Sequence, residues 1–269
     1  MVTQTRSRDY PDWQLRHYAS AGTKYGEHHF TQPNNPYTEW ILAKIASVCP
    51  NAGTIAEVGA GTCIFSSLLG RKLQLETPVV CYEPVKELLE GSADFENVEA
   101  ICGDAVDFAR GPLNERFDLV FTKDTAHHFP SDALDEIHDG IRCKLKPEGR
   151  YLMVVRTPPR GRSVPVGSIA RARWEQVYTP LSDLLASMRR ISAWTEIEVG
   201  RWQLAVETDI QDWIDGVKRQ DSWSIFSALD SDEIAATVEE LEAEFDGMKS
   251  FDFLHQYDIA VFEKNRIPN

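Results

Sequence analysis

The chain has no run of about 18 consecutive apolar residues, the length a membrane-crossing helix needs, so no membrane partner is expected. Its first nine residues, Met1 to Asp9, lack the apolar stretch of a signal peptide. Cysteine is scarce and odd in number: Cys49, Cys63, Cys81, Cys102 and Cys143 contain no C-x-x-C pair, which argues against a disulfide framework. Two of them fall in expected buried strands, where a free thiol behaves as a small hydrophobe. A reducing cytoplasm is the expected setting. Positive charge is the other shortage. Lys and Arg number 28 against 42 Asp and Glu, a net charge of −14. Proteins that grip nucleic acid need a positive surface to displace counterions. Only a local basic patch is available here, at Arg156, Arg160, Arg162, Arg171 and Arg173. Nucleic acid is therefore not an expected partner. Internal repeats and low-complexity stretches are also lacking.

What is present is ordinary in bulk and specific in detail. The 269 residues, 42% hydrophobic and 26% charged, suit one large α/β domain or one domain with an appendage, with ample sequence to bury a core. The densest signal is Ile55-Ala56-Glu57-Val58-Gly59-Ala60-Gly61-Thr62-Cys63, a short apolar run closed by a Gly-x-Gly turn and followed by a helical pattern from Ile64 to Leu69. Strand, glycine turn and helix together bring backbone N–H groups and a helix N-terminus against a nucleotide-like ligand. The glycines supply positive φ and close approach. A dinucleotide site wants a third small residue, and that position is Ile64. Glu57 would repel a pyrophosphate, and no G-x-x-x-x-G-K-[ST] run exists. An acid at the strand end suits a ligand with an ammonium group and no phosphates.

Further strands follow in order. Val79-Val80-Cys81-Tyr82-Glu83 ends in an acid 24 residues after Gly59, a spacing that suits hydrogen bonding to ribose hydroxyls. A third strand begins at Val98 and ends in Gly103-Asp104-Ala105; a fourth, 117–122, is followed by Lys123-Asp124-Thr125-Ala126-His127-His128-Phe129; a turn at 145–150 leads into a fifth, 151–156. Helices are expected at 37–48, 63–72, 85–90, 105–109 and 131–144, the last capped by Ser131. This alternation argues for a parallel sheet with ligands at the carboxyl ends of its strands.

The E-x-G-x-G-T turn and the ordered acids resemble the class I S-adenosylmethionine (SAM)-dependent methyltransferases, over about 50–157 and more weakly over 181–207. The resemblance implies an α/β fold: a doubly wound, mostly parallel seven-stranded sheet, a Rossmann-like methyltransferase core, with a helical lid. It implies S-adenosyl-L-methionine as cofactor, held by Glu57, Gly59, Ala60, Gly61, Thr62, Glu83, Pro84, Asp104, Ala105 and Lys123, with Asp104 accepting from the adenine amino group. Cys63 departs from the family, which commonly has glycine there; its side chain is expected to narrow the space beside the methionine end of the cofactor. The implied activity is methyl transfer to O or N of a small molecule, with C as the remaining option. The alternative is a SAM-binding protein without methyl transfer, such as a regulatory subunit or a SAM-using cyclase.

The expected organisation is an N-terminal lid (1–36), a SAM-binding core (37–157), a lid segment (158–180), a return to the core for its last helix and sixth strand (181–208), a helical insertion over the site (209–250) and a C-terminal strand (251–269). Asn34-Asn35-Pro36-Tyr37 resembles the Asn-Pro-Pro-Tyr motif of DNA amino-methyltransferases, but that motif should follow a strand, where this chain has Lys123-Asp124-Thr125; it reads instead as a helix-start turn.

The family has no single fixed catalytic residue. His127 and His128, after the fourth strand, are the candidate bases, because imidazole titrates near working pH. Tyr25, His28 and His29 in the lid, and Arg156, are candidate substrate contacts. The paired histidines lack the i,i+4 spacing of a metal site, so no metal is expected. Trp13, Tyr18, Trp174, Tyr178, Trp202, Trp213 and Trp223 form an aromatic surplus that could line a substrate pocket. The sequence is silent on oligomeric state.

Overall fold

The computed structural model describes residues 12–21, 35–112, 114–158, 164–220 and 223–266. Among the described residues two helices precede the sheet: α1 (Asp12–Ala21) and α2 (Pro36–Val48). Asn35 caps α2, its Oδ1 accepting from the N–H groups of Tyr37 and Thr38, and Pro36 takes the first helical position. Asn35-Pro36-Tyr37 is thus a helix start; Asn34 lies outside the described residues.

Seven strands then form one sheet: β1 (Ile55–Val58), β2 (Val79–Glu83), β3 (Val98–Cys102), β4 (Phe117–Lys123), β5 (Leu145–Arg156), β6 (Trp194–Asp209) and β7 (Ser250–Lys264), in the order β3-β2-β1-β4-β5-β7-β6. The first five in that order run parallel, and β7 lies antiparallel between β5 and β6. The strand order reverses at β1/β4, where an open α/β sheet leaves a crevice for ligands. The helices are α3 (Ile64–Lys72), α4 (Ala105–Arg110), α5 (Leu134–Lys144), α6 (Gly167–Val177), α7 (Leu181–Arg190), α8 (Ile210–Arg219) and α9 (Ser231–Glu244).

Alternation along the strands sorts side chains to two cores. Ala56, Val58, Val120, Tyr151 and Met153 pack with α5 and α7 on one face; Ile55, Leu119, Phe121, Leu152 and Val154 pack with α2 and α3 on the other. A third core lies outside the sheet faces. Trp174, Tyr178, Trp213, Ile214, Val217, Phe226, Leu241, Phe251 and Phe253 pack together, so α6, α8, α9 and the far ends of β6 and β7 form a cap with its own interior.

The sequence-based expectations need three local corrections. Ser131 does not cap a helix: α5 starts three residues later, behind Ala133, which makes no side-chain cap. The stretch 85–90 is a single 3-10 turn, Lys86–Leu89, too short to continue. The turn at 145–150 lies inside β5, where the register jumps between Phe117 and Leu119 of β4 and Glu148 takes φ 64°. The sixth strand is one continuous element of 16 residues, bulged at Glu196/Glu198.

Candidate active site

One cleft opens at the carboxyl ends of β1, β2 and β4. Its floor is the glycine turn after β1. Gly59 and Gly61 take φ 78° and 57°, conformations that an L side chain resists. The N–H groups of Gly59 and Ala60 both donate to Tyr82 O, at 2.7 and 3.0 Å, which wraps the turn over the tip of β2. The two glycines differ in what a side chain would meet. A Cβ on Gly59 would lie 2.1 Å from Thr125 Cγ2, whereas a Cβ on Gly61 meets nothing within 4 Å, because that position faces the cleft. Thr125 closes over Gly59 and donates to its carbonyl at 3.1 Å.

Glu83, at the tip of β2, holds this floor. One carboxylate oxygen accepts from Gly61 N at 2.9 Å and the other from Val85 N at 3.0 Å. A carboxylate oxygen can accept more than one hydrogen bond, so both retain capacity for hydroxyl donors. Burial pushes its acidity constant up to about 7, against the pull of the Val85 and Gly61 N–H groups and the Lys123 charge. Glu57 points to the α2/α3 face of the sheet instead. It is fully buried, accepts from Ser66 Oγ, and is also pushed up to about 7 by burial, opposed by Lys123 and Ser66.

The empty space of the cleft, counted with its open mouth, is about 790 Å³. Of the residues expected to hold the cofactor, Gly59, Ala60, Gly61, Thr62, Glu83, Pro84, Ala105 and Lys123 line it; Glu57 and Asp104 do not. Asp104 caps α4, its Oδ1 accepting from Val106 N and Asp107 N at 2.8 Å each. Cys63 does not narrow the cleft. Its backbone is left-handed (φ 61°), which turns the thiol into the core, where it is fully buried. Open space at Gly61, the spare lone pairs of Glu83 and the apolar wall of Val85, Leu88 and Ala105 fit a nucleoside bearing hydroxyl groups.

On the opposite wall, Tyr18 and His128 are joined by groups the sequence left unassigned. α1 lies over the cleft and contributes Gln14, Leu15 and Tyr18. It is tied to the cap by His17 Nδ1, 2.7 Å from Ser227 Oγ. Asp124, Thr125 and Phe129 complete this wall with His128. Periodicity carries no signal for these positions; only the left-handed Asp124 just past a strand tip (φ 53°) marks a special site, and that is a property of the fold.

The two candidate bases separate. His128 lines the cleft, with Nε2 3.4 Å from the Tyr18 hydroxyl. His127 does not line it: its ring lies against Trp174 and Tyr178, with centroids 6.0 and 4.8 Å away. Burial, then the Arg156 charge, lowers His127 to about 3; burial and the neighbouring His127 hold His128 well below the usual imidazole range. Both rings are neutral at neutral pH.

Arg156 is also displaced from its expected role. It does not line the cleft; its guanidinium lies over the rings of Trp223 (4.2 Å) and Tyr257 (5.4 Å), with Nε 3.6 Å from Asp124. Of the aromatic surplus, Tyr18 reaches the cleft. Trp174, Tyr178 and Trp213 build the cap core, Trp223 packs against it, and Trp202 stacks on Trp40 at 4.2 Å. Tyr25, His28 and His29 lie outside the described residues. Among the described residues no cluster of three or more metal-ligating side chains occurs, and no helix is long and apolar enough to cross a membrane.

Residues 55–149 match the family model of a methyltransferase domain. No protein of curated function matches the sequence. Among solved structures, the YcgJ protein of Bacillus subtilis superposes with a TM-score of 0.59 at 19% identity, covering 87% of this chain and 100% of that one. The [4+2]-cyclase SpnF gives 0.56 at 13% identity, covering 93% and 91%. The phosphoethanolamine N-methyltransferase 2 of Haemonchus contortus, solved with phosphomonomethylethanolamine and S-adenosylhomocysteine, gives 0.56 at 13%, covering 98% of this chain and 59% of that one. Identities this low speak for the fold, and the domain match speaks for the chemistry that the glycine turn and Glu83 are shaped to serve. Residues 55–149 thus form a methyltransferase domain, set on a fold shared with solved methyltransferases, and S-adenosyl-L-methionine is the cofactor that such a domain implies.

Proposed function

We propose that this enzyme methylates a small molecule at an oxygen or nitrogen atom, and that the acceptor enters between α1 and the tip of β4. The observation that carries this reading is the shared cleft: Glu83 and the glycine turn on one side, Tyr18 and His128 on the other. Its lining combines an apolar wall, Val85, Leu88 and Ala105, with a few placed polar groups, the make-up of a small-molecule site.

The bound cofactor supplies a methyl carbon already activated by a sulfonium, so the protein need only place the acceptor, exclude water and take up a proton when the nucleophile enters protonated. Gly59, Ala60, Gly61, Thr62, Glu83, Pro84, Ala105 and Lys123 would hold the cofactor. Glu57 and Asp104 act from behind, one beneath the turn and one at the start of α4. His128 is the candidate proton acceptor. A neutral imidazole can take a hydrogen bond from an acceptor hydroxyl or amine, and Tyr18 orients the ring. Carbon methylation has no separate support in the cleft, and the cytoplasm remains the expected setting.

The test is incubation with methyl-labelled SAM and a small-metabolite extract. Label in a low-molecular-weight product supports the reading. SAM binding without labelled product would favour the non-transferring alternative, and label in protein or nucleic acid would overturn the acceptor class.

A further inference from the structure

Tyr37 of α2 and Arg156 of β5 converge on one carboxylate at the acceptor wall, that of Asp124. Asp124 follows β4 in a left-handed conformation (φ 53°), with its N–H donating to Val154 O at 3.0 Å. The Tyr37 hydroxyl, from α2, donates to Oδ2. Arg156, at the end of β5, brings Nε to 3.6 Å from Oδ1, beyond hydrogen-bond range. That guanidinium is clamped from behind by Trp223 of the cap, 4.2 Å away, and by Tyr257 of β7, whose ring stacks on Tyr37 with centroids 4.4 Å apart.

Holding an acid here is costly. A left-handed non-glycine residue is strained backbone that the surroundings must hold in place. The Asp124 side chain is only 17% exposed, and its Oδ1 is buried without a hydrogen-bond partner. A buried acceptor left unsatisfied calls for an explanation, and a donor supplied by a ligand is one. Of the three residues, Asp124 alone lines the cleft; Tyr37 and Arg156 stand behind it. The other charges lining the cleft face elsewhere. Glu83 is bonded to the backbone, and the Lys123 ammonium lies 5.3 Å from the Phe65 ring centroid. The rest of this wall, Gln14, Leu15, Tyr18, Thr125, His128 and Phe129, carries no charge, and the Arg156 guanidinium pairs with Asp124 from behind it.

We propose that Asp124 determines acceptor specificity, selecting small, largely apolar acceptors that carry a cationic nitrogen and rejecting carboxylic acids. This rests on the small-molecule reading above and names its substrate class. Tyr37 and Arg156 are positioning residues that fix the carboxylate in register. The nitrogen that meets Asp124 is a docking group and need not be the atom methylated.

Three probes with one aromatic body separate charge from shape: phenethylamine, phenethyl alcohol and phenylacetate, titrated calorimetrically into protein saturated with S-adenosylhomocysteine. The expected order places phenethylamine about tenfold or more above the alcohol, the scale of one charge-assisted hydrogen bond, with phenylacetate weakest. In Asp124→Asn the amine should fall to the level of the alcohol, while affinity for S-adenosylhomocysteine stays within about threefold. Equal binding of the three, no binding of any, or preference for phenylacetate in the wild type overturns the proposal before any variant is made. An unchanged preference in Asp124→Asn overturns it too. A loss of more than about tenfold in S-adenosylhomocysteine affinity in that variant would assign Asp124 to the cofactor's own ammonium group and overturn the acceptor role. Labelled product from the metabolite extract, measured separately, shows whether methyl transfer stands when this specificity fails.

Discussion

The hydroxyl of Tyr18 lies 3.4 Å from Nε2 of His128, although the two residues are 110 positions apart. One comes from a helix ahead of the sheet and the other from the 3-10 turn after β4, so the contact forms only when α1 lies across the cleft. Burial raises the Tyr18 hydroxyl to about 12 and holds His128 well below the usual imidazole range, which leaves a neutral donor–acceptor pair facing the space above the cofactor site.

If this pair handles the acceptor's proton, His128→Gln should lower methyl transfer by about 100-fold or more, within the range for a positioned general base. Tyr18→Phe should cost less, because it removes only an orienting contact. Neither should change S-adenosylhomocysteine affinity by more than about threefold. Turnover measured beside binding checks this, and parallel losses in both would make the pair part of the cofactor site.

Glu83 gives a prediction with a pH signature. Glu83→Ala should weaken S-adenosylhomocysteine by about 1.5–3 kcal/mol, the scale for hydrogen bonds to a charged group. Burial holds the free carboxyl up near 7, so the proton must leave before ribose hydroxyls meet an ionised acceptor. Affinity should therefore rise as pH rises, by about tenfold between about pH 6 and pH 8. Glu83→Gln should flatten that slope. A wild-type affinity constant with pH would mean the ribose is held elsewhere.

The two motif glycines should fail differently. Gly61→Val places a β-branched side chain at φ 57° in the open cleft, so a folded chain that no longer binds S-adenosylhomocysteine is expected. Gly59→Ala drives a Cβ to 2.1 Å from Thr125 Cγ2, so it should lower thermal stability as well. Circular dichroism melts beside binding isotherms separate the two, and wild-type binding by Gly61→Val would remove the turn from the cofactor site.

The cap has its own hydrophobic interior, and its contribution can be measured. Leu241 of α9 is fully buried there, and Leu241→Ala should cost about 2–5 kcal/mol of stability. Denaturant unfolding with near-ultraviolet detection of Trp213 and Trp223 reports it. A loss under about 1 kcal/mol would mean that α9 packs loosely.

The sequence by itself determined the strand order's chemistry: Glu57, the Gly59–Gly61 turn, Glu83 and Asp104 fall at element ends because glycine, proline and helix-capping acids act locally, on their own backbone. It also determined the start of α2 through Asn35 and Pro36. What those local rules could not decide is where a side chain points once an element packs. Glu57 and Asp104 carry the expected residue types but turn away from the cleft, because alternation places one under α3 and helix capping occupies the other. Arg156 is a candidate substrate contact by sequence and becomes a half-buried clamp behind the wall, because Trp223 and Tyr257 arrive from elements 67 and 101 residues further along the chain. Asp124 shows nothing special in sequence; its place in the wall depends on the reversal of strand order at β1/β4 and on α1 crossing above it. Only the tertiary structure decided those relationships, since each joins residues that no local propensity couples.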